Sequence, residues 1–554
     1  MPADGKTLIA RYDRLKQDAA THFKHCDELA PFIAPSRVGV TAPRQPGERQ
    51  NSTVFDSTTM LAAELMAQFV AGYTINPSQR WGSMTMEVPP PHGSDAISEW
   101  LEECRDRMLG HLANSMFYAE AVESMIDWGG FGTGYLVREE RPQPQNATVK
   151  GFRGFHFQAK KTGRFLIADG ADGLVDTAFD DWPMTARMME TRWGRQALPE
   201  KAKKALEAGK PDEPFTVIHA VYPRSLADQR YAAGAMKMPW ASCWVERDST
   251  TLIQESGYNS FPGRVYRYTR TPGETFGRGR GQLAWPDTWT LSTSKRMGLE
   301  DQALKQRPPV MMAHDSVIGT LRLVPGGPTI INTRGRPIGD VIQPYQTGSH
   351  PEVTSIKEEE LRKSIRQVFF VDQILMLMEV NKSEMTAFEF AKKMELLFRV
   401  MGPVYGRIEH EFLQQTWDGV FDDLLEAGAF SDPPDEIFDT DGRIRTTFEN
   451  PMARAQRSGD VEAMTQSIQD LLPLAQVYPE VWDRIDADKT AMMVLQTRGF
   501  PAKATRNEDE MQALRDSRLQ QQETTQALTE AGQIAESGGK IAPLLTAIQG
   551  GRPR

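Results

Sequence analysis

The sequence predicts an α+β fold that is mostly helical. Helix-periodic apolar spacing occupies both ends of the 554-residue chain, and short β-rich runs fill 150–270. Long one-faced helical runs follow residue 286. A chain of this length has room for roughly three domain-sized units. The first helix is read over 6–35, where Leu8, Tyr12, Leu15, Ala19, Phe23, Cys26 and Ile33 recur at helical steps. "PSRVGVTAPRQPGERQNS" is a loop, rich in Pro, Gly and Arg. Helices are expected at 56–72, 94–113 and 117–127, the one at 94–113 opened by Ser94 or Asp95 as cap. "WGGFGTGYLVREE" then breaks to strand.

The stretch 150–270 is mixed. Strands such as "GFHFQA", "RFLIAD", "FTVIHAVY" and "ASCWVERD" surround helices near 184–194 and 199–208, and no βαβ repeat is present. "ETFGRGRGQLAW" leads to Pro286, which is placed for the first turn of a helix ending at "KQRPP". Residues 308–350 switch to β and turn chemistry around "VPGGPT". A helix from near Ser355 to about Glu379 follows, with Leu361, Ile365, Val368, Val371 and Leu375 as its apolar face. Glu358 with Arg362, and Glu359 with Lys363, are its favourable pairs. Thr386 and Glu389 form a capping box for a long helix whose face is Met394, Phe398, Met401, Tyr405, Ile408 and Phe412. Gly402-Pro403 predicts a kink inside it. "FSDPPDEIFDTDGR" ends that helix, and 455–550 are helical again.

Composition narrows the function classes. With 40% hydrophobic and 25% charged residues the chain is that of a folded protein. Its net charge of −10 opposes tight wrapping of nucleic acid, so any DNA contact is expected to be local or weak. Cys26, Cys104 and Cys243 are sparse and odd in number, which suits a reducing compartment. "MPADGKTLIARYDRLKQ" carries charge within its apolar stretch and does not read as a signal peptide. No apolar run reaches ~18 residues, so no membrane span is expected.

The motifs point away from catalysis. Gly277, Gly279 and Gly281 give G-x-G-x-G, with the third glycine misplaced for a dinucleotide fingerprint and the helix too late to hold a phosphate. No G-x-x-x-x-G-K-[ST], G-x-S-x-G, H-E-x-x-H or C-x-x-C occurs. His22, His25 and Cys26 have a spacing that could share a metal, but no second ligand cluster accompanies them, so the structural reading is preferred. "FDTDGRIRTTFE" holds only a fragment of a calcium loop. Asp422-Asp423 read as a solvated helix face. No catalytic residue, metal site or cofactor is expected.

The ordered blocks "LIARYDRLKQDAATHFKHCDELAPFIAPS", "LAAELMAQFVAGYTINPSQRWGSMTM", "FGRGRGQLAWPDTWTLSTSKRMGLEDQA", "VNKSEMTAFEFAKKMELLFRVMGPVYGRIEHEFLQ" and "RAQRSGDVEAMTQSIQDLLPLA" carry a resemblance. The chain resembles the head-to-tail connector, or portal, proteins of short-tailed double-stranded DNA phages. The resemblance implies a portal-type architecture. Residues 1–284 and 386–450 would be the wing, 285–307 and 353–377 the stem helices, and 308–352 a small β-containing clip. Residues 378–385 would be the tunnel loop, the helix after 386 the kinked long helix, and 451–554 a helical crown with a flexible C-terminus.

It further implies a homo-oligomeric ring, usually of twelve copies, at one capsid vertex of the virion, assembled in the host cytoplasm. Double-stranded DNA would pass through it during packaging and ejection. Its partners would be the terminase large subunit, tail adaptor proteins, and the major capsid and scaffolding proteins. Glu379, Asn381, Lys382, Ser383 and Glu384 would face DNA at the constriction. Arg322, Arg334 and Arg336 of the clip would face DNA or docking partners. Gly277, Gly279, Gly281, Gly402 and Pro403 would serve as hinge or kink, with Arg278 and Arg280 reaching a neighbouring subunit. A Gly279→Val change would then impair ring assembly. Twelve copies at −10 each would carry about −120, a wall that lets DNA slide. Two alternatives stay open: an α+β nucleotide-utilising enzyme or hydrolase with its site in 150–270, and a non-portal virion protein.

Overall fold

The N-terminal helix begins with a side-chain cap. Asp4 accepts from the Lys6 amide at 3.4 Å, satisfying one donor that α1 (Gly5–Asp18) leaves open, and also from the Thr7 hydroxyl at 3.1 Å. The computed structural model describes residues 4–42, 52–87, 94–141, 152–225, 234–306, 310–312, 337–344, 351–378, 401–438, 444–448, 464–473, 485–497 and 510–522, with isolated positions between them. Two compact units are present. One comprises 1–83, 104–430 and 446–455; the other comprises 84–103, 431–445 and 456–554.

The single helix expected over 6–35 is divided at Ala19 into α1 and α2 (Ala20–Ile33). Its stripe survives the join, since Leu8, Tyr12, Ala19, Phe23 and Cys26 are all buried. Then come α3 (Thr58–Thr74), β1 (Gly82–Met86), α4 (Ser94–Ala113) and α5 (Phe117–Phe131). The break expected at "WGG" is displaced. α5 runs through Gly129 and Gly130, and the chain turns only at Gly132, with φ 97°. Glycine adopts that left-handed φ without a Cβ clash.

The middle of the chain holds β2 (Thr133–Glu140), β3 (Phe155–Ala159), β4 (Phe165–Asp169), β5 (Val175–Thr185), α6 (Ala186–Trp193), α7 (Glu200–Glu207), β6 (Pro214–Pro223), β7 (Trp240–Glu246), β8 (Leu252–Tyr258) and β9 (Gly263–Arg267). β4 to β8 form an antiparallel meander in chain order, and β2 lies between β3 and β9, also antiparallel. This is the α+β arrangement expected. Met189, Leu198 and Ala202 close over Val217 and Trp244 as one apolar cluster. Each such burial contributes about 1.5–3 kcal/mol for the larger side chains.

α8 (Arg280–Gln306) begins well before Pro286, contrary to the sequence reading, so Pro286 lies inside it. The proline leaves the Gln282 carbonyl without its usual donor. Gly281, in the first turn, is buried against Gly130 and Ile33. β10 (Val310–Met312) pairs antiparallel with β11 (Ile342–Pro344), which follows a helical turn at Ile338–Val341. The helix expected near 355–379 is two helices, α9 (Pro351–Val368) and α10 (Val371–Met378). Phe369 and Phe370, both buried, fill the join between them. The chain turns there, with Phe370 at φ 58°. The turn resets the apolar face, so Ile374 is buried and Leu375 is exposed.

Asp287 accepts from Ser364 at 2.6 Å and Lys295 meets Glu358 at 3.3 Å, so α8 and α9 run antiparallel. Glu358 also meets Arg362 at 3.6 Å, while Glu359 turns to Arg362 and Arg366, each at 3.1 Å, rather than to Lys363. Residues 401–408 are helical through Gly402 and Pro403. A π-helical segment, Glu409–Gln414, joins them to α11 (Gln415–Glu426), and β12 (Ile444–Phe448) follows. The capping box at Thr386 and Glu389 lies outside the described residues.

In the second unit, 464–473, α12 (Ala487–Thr497) and 510–522 are helical. Arg515 grips Asp488 with both terminal nitrogens, at 2.6 and 2.8 Å. Among the described residues no helix is long and apolar enough to cross a membrane.

Candidate functional site

Three glycines of the "FGRGRGQ" stretch meet three glycines at the end of α5. The Gly277 amide donates to Thr133 Oγ1 at 2.8 Å, and the Arg278 amide donates to the Thr269 carbonyl at 2.9 Å. A Cβ on Gly279 would stand 2.6 Å from the Gly132 nitrogen, 2.7 Å from the Gly129 oxygen and 2.8 Å from the Gly130 oxygen. A Cβ on Gly277 would strike the Gly132 carbonyl, and one on Gly281 the Gly130 carbonyl and Ile33. The stretch is a backbone-on-backbone crossing that fixes where the β-rich part ends and α8 begins.

Its two arginines serve their own chain. Arg278 is exposed and paired with Glu274. Arg280 Nε donates to the Tyr268 hydroxyl at 2.6 Å, and its guanidinium lies 4.6 Å from the Phe370 ring centroid. This cation–π contact ties the start of α8 to the turn that ends α9. Gly402 is half-buried and Pro403 exposed, and a Cβ on Gly402 would meet open space. Glu379, Asn381, Lys382, Ser383 and Glu384 lie outside the described residues, as do Arg322, Arg334 and Arg336.

Sequence reasoning missed a buried charge node. Arg267, 1% exposed, donates through Nη1 to Asp169 at 2.9 Å and through Nη2 to Glu411 at 2.9 Å. Its backbone amide donates to the other Glu411 oxygen at 2.8 Å. A second node corrects the solvated-face reading for Asp423, while Asp422 beside it is exposed as expected. Asp423 pairs at 3.0 Å with the buried Arg138, and Arg264 is buried beside them. Burial raises the Asp418, Asp422 and Asp423 carboxyls above their ordinary value, while the two arginines pull Asp422 and Asp423 back down. A lone acidic pair on a helix gives no sign of a cation 285 residues away.

Ser242 and His219 form a suggestive pair within the alternative enzyme site, 150–270. Ser242 Oγ and His219 Nε2 are 2.9 Å apart, but the ring stacks on Trp244 at 4.0 Å and both residues are buried. Burial drives the His219 pKa well below its ordinary value, and Arg192 and Lys160 push the same way. Both side chains are packed within the sheet.

His22 Nε2 lies 3.4 Å from Cys26 Sγ, and the His22 ring stacks on Phe276 with centroids 4.8 Å apart. Among the described residues no three metal-type ligands are assembled. Burial, then His25, lowers the His22 pKa to about 4. A depressed histidine contributes stability that is present above its ordinary value near 6.5 and lost as pH falls through about 4. Thermal melts from pH 7 to 4 are therefore expected to fall less for His22→Phe than for wild type. Parallel slopes would remove this assignment.

Two curated relatives extend over nearly the whole chain. The "Probable portal protein" of Bordetella phage BPP-1 is 24% identical over 550 residues, 98% of this chain and 96% of that protein. The "Portal protein" of Salmonella phage epsilon15 is 24% identical over 544 residues, 96% of this chain and 94% of that protein. A solved chain titled "Virion of native gene transfer agent (GTA) particle" aligns at 13% identity and TM-score 0.30, covering 84% of this chain and 98% of that one. Residues 5–505 match the family described as bacteriophage head to tail connecting protein, and this chain belongs to that family.

Proposed function

We propose that the protein is a portal: a non-enzymatic ring, of usually twelve copies, at one vertex of the capsid. DNA passes through it during packaging and ejection. It nucleates head assembly, then docks the terminase large subunit and later the tail adaptors. In this reading residues 378–385, with Lys382 among them, form the constriction, and 308–352, with Arg322, Arg334 and Arg336, the docking clip. Besides the family match, one structural observation supports a ring. Leu283, Thr290, Met297 and Leu304 recur at heptad spacing along α8 and face water, with Leu283 62% and Met297 57% exposed. Trp289 lies beside them, 54% exposed. An apolar row of this kind on a single chain marks a surface that another helix covers, and a neighbouring copy in a ring supplies one.

Met297→Glu combined with Leu304→Glu tests this. The variant is expected to melt like wild type, since neither side chain is buried in the chain, but to sediment as a monomer. Wild type is expected to give rings by negative-stain microscopy. Rings of unchanged number from the double variant would sink the role of α8. A stable wild-type monomer with no rings would sink the portal reading itself.

A further inference from the structure

The long helix ending at Glu426 changes its buried face partway along. Successive residues of an α-helix are about 100° apart. Met401, Ile408 and Phe412 are buried and fall on one narrow stripe. Leu413, Thr416, Trp417, Val420 and Leu424 are also buried, on a stripe centred about 100° further round. The offset is one residue. On a continuous α-helix the two sets together would spread over about half of the circumference. The π segment Glu409–Gln414 holds one extra residue and cancels the offset.

The two stripes pack on different surfaces. Met401, Val404, Tyr405 and Ile408 line an apolar crevice against Phe69 and Tyr73 of α3. Trp417 meets Trp81 at 5.0 Å between ring centroids, and Asp423 is held by Arg138. Their anchorage is unequal. Downstream of the π segment, Trp417, Val420 and Leu424 are fully buried. Upstream, only Met401 and Ile408 of 401–408 are buried, and Gly402 and Gly406 adjoin open space. At the junction Glu411 is fixed to β9 twice, by the Arg267 guanidinium and by the Arg267 backbone amide.

We propose that the π segment is a register device. It stores one residue of slack in the long helix, and the clamp of Glu411 on Arg267 is the catch that retains it. Releasing the catch lets the π segment rewind to α geometry. The weakly anchored upstream part then turns by about 100° and advances by about 1.5 Å, while α11 stays in place. The device stands on the geometry of this chain alone. Its use, to reposition the sequence that precedes residue 401 in a channel, rests on the portal reading.

The three native cysteines are buried, so a thiol reagent reports an introduced one. Met401→Cys and Val420→Cys are made singly in the full chain, each with and without Glu411→Gln. Glutamine keeps the shape and one acceptor but loses the charge that strengthens the clamp. With Glu411 present, both positions are expected to label slowly. Glu411→Gln is expected to speed labelling at 401 about tenfold, the loss of one charge-assisted hydrogen bond, and to leave 420 unchanged. Deleting the exposed His410 removes the slack while keeping both stripes buried, and is expected to abolish the increase. Labelling of both positions, or of neither, in the Glu411→Gln background overturns the proposal. So does an increase that survives the His410 deletion. Ring counts on the same samples report separately on the portal reading.

Discussion

Gly279→Val is expected to prevent stable folding of the chain. The added Cβ would lie 2.6–2.8 Å from three backbone atoms of Gly129, Gly130 and Gly132, and backbone cannot swing aside as a side chain does. Neither surface is free to retreat. α5 is fixed by Trp128 and Phe131, both fully buried, and the crossing strand by the amide bonds at Gly277 and Arg278. Overpacking of this kind costs about 3 kcal/mol when neighbours can relax, and more when they cannot. That is a large part of a domain's typical stability of about 5–15 kcal/mol. Any loss of ring assembly would follow from this loss of fold. Gly279→Ala should show the same effect at smaller size, as a lower urea midpoint with unchanged slope. Gly402→Ala is the control, since its Cβ meets nothing and alanine favours the helix by about 1 kcal/mol. Equal midpoints for Gly279→Ala and wild type would refute the crossing as a packing constraint.

Arg267→Met is expected to cost about 3–5 kcal/mol, the usual penalty for removing one partner of a buried ion pair. Methionine fills much of the volume but leaves Glu411, itself buried, without its cation, while Asp169 keeps Arg270 at 3.2 Å. The Gly173 carbonyl also loses a donor at 2.9 Å. The cost belongs to the stranded Glu411 carboxylate more than to the lost attraction, which a double-mutant cycle separates. Adding Glu411→Gln to Arg267→Met removes one stranded charge, so the double variant should lose clearly less than the sum of the singles. Additivity within about 0.5 kcal/mol would mean that the two residues do not act as a pair.

Periodicity made much of the fold legible. α3, α4, β6 and β7 fall close to where the sequence puts them, the helices from helical apolar spacing and the two strands from short apolar runs buried on both faces. The departures come where two local rules compete. "GRGRGQ" reads as a loop because glycine is a poor helix former, yet α8 starts at Arg280 since the crossing with α5 demands glycines there. The turn at Phe369-Phe370 carries neither Gly nor Pro, so periodicity reads through it as one helix. The π segment had a signal, in the slip of the apolar stripe from Phe412 to Leu413. The Arg267–Glu411 pair had none, since its partners are 144 residues apart in the chain.

The contact of Arg280 with Tyr268 and Phe370 has a mechanical consequence. All the buried positions of α8 lie between Gly281 and Ser292. The half from Thr293 to Gln306 has none, and spans about 20 Å at the helical rise. In a single chain, α8 is thus a beam clamped at one end and only lightly held beyond it, where Ser294 and Lys295 reach Glu358 of α9. Transverse force on the far tip becomes torque at the clamp, where glycine backbones are in contact. Bending is absorbed by the lightly held half, so neighbours that brace that half set the stiffness of the whole rod.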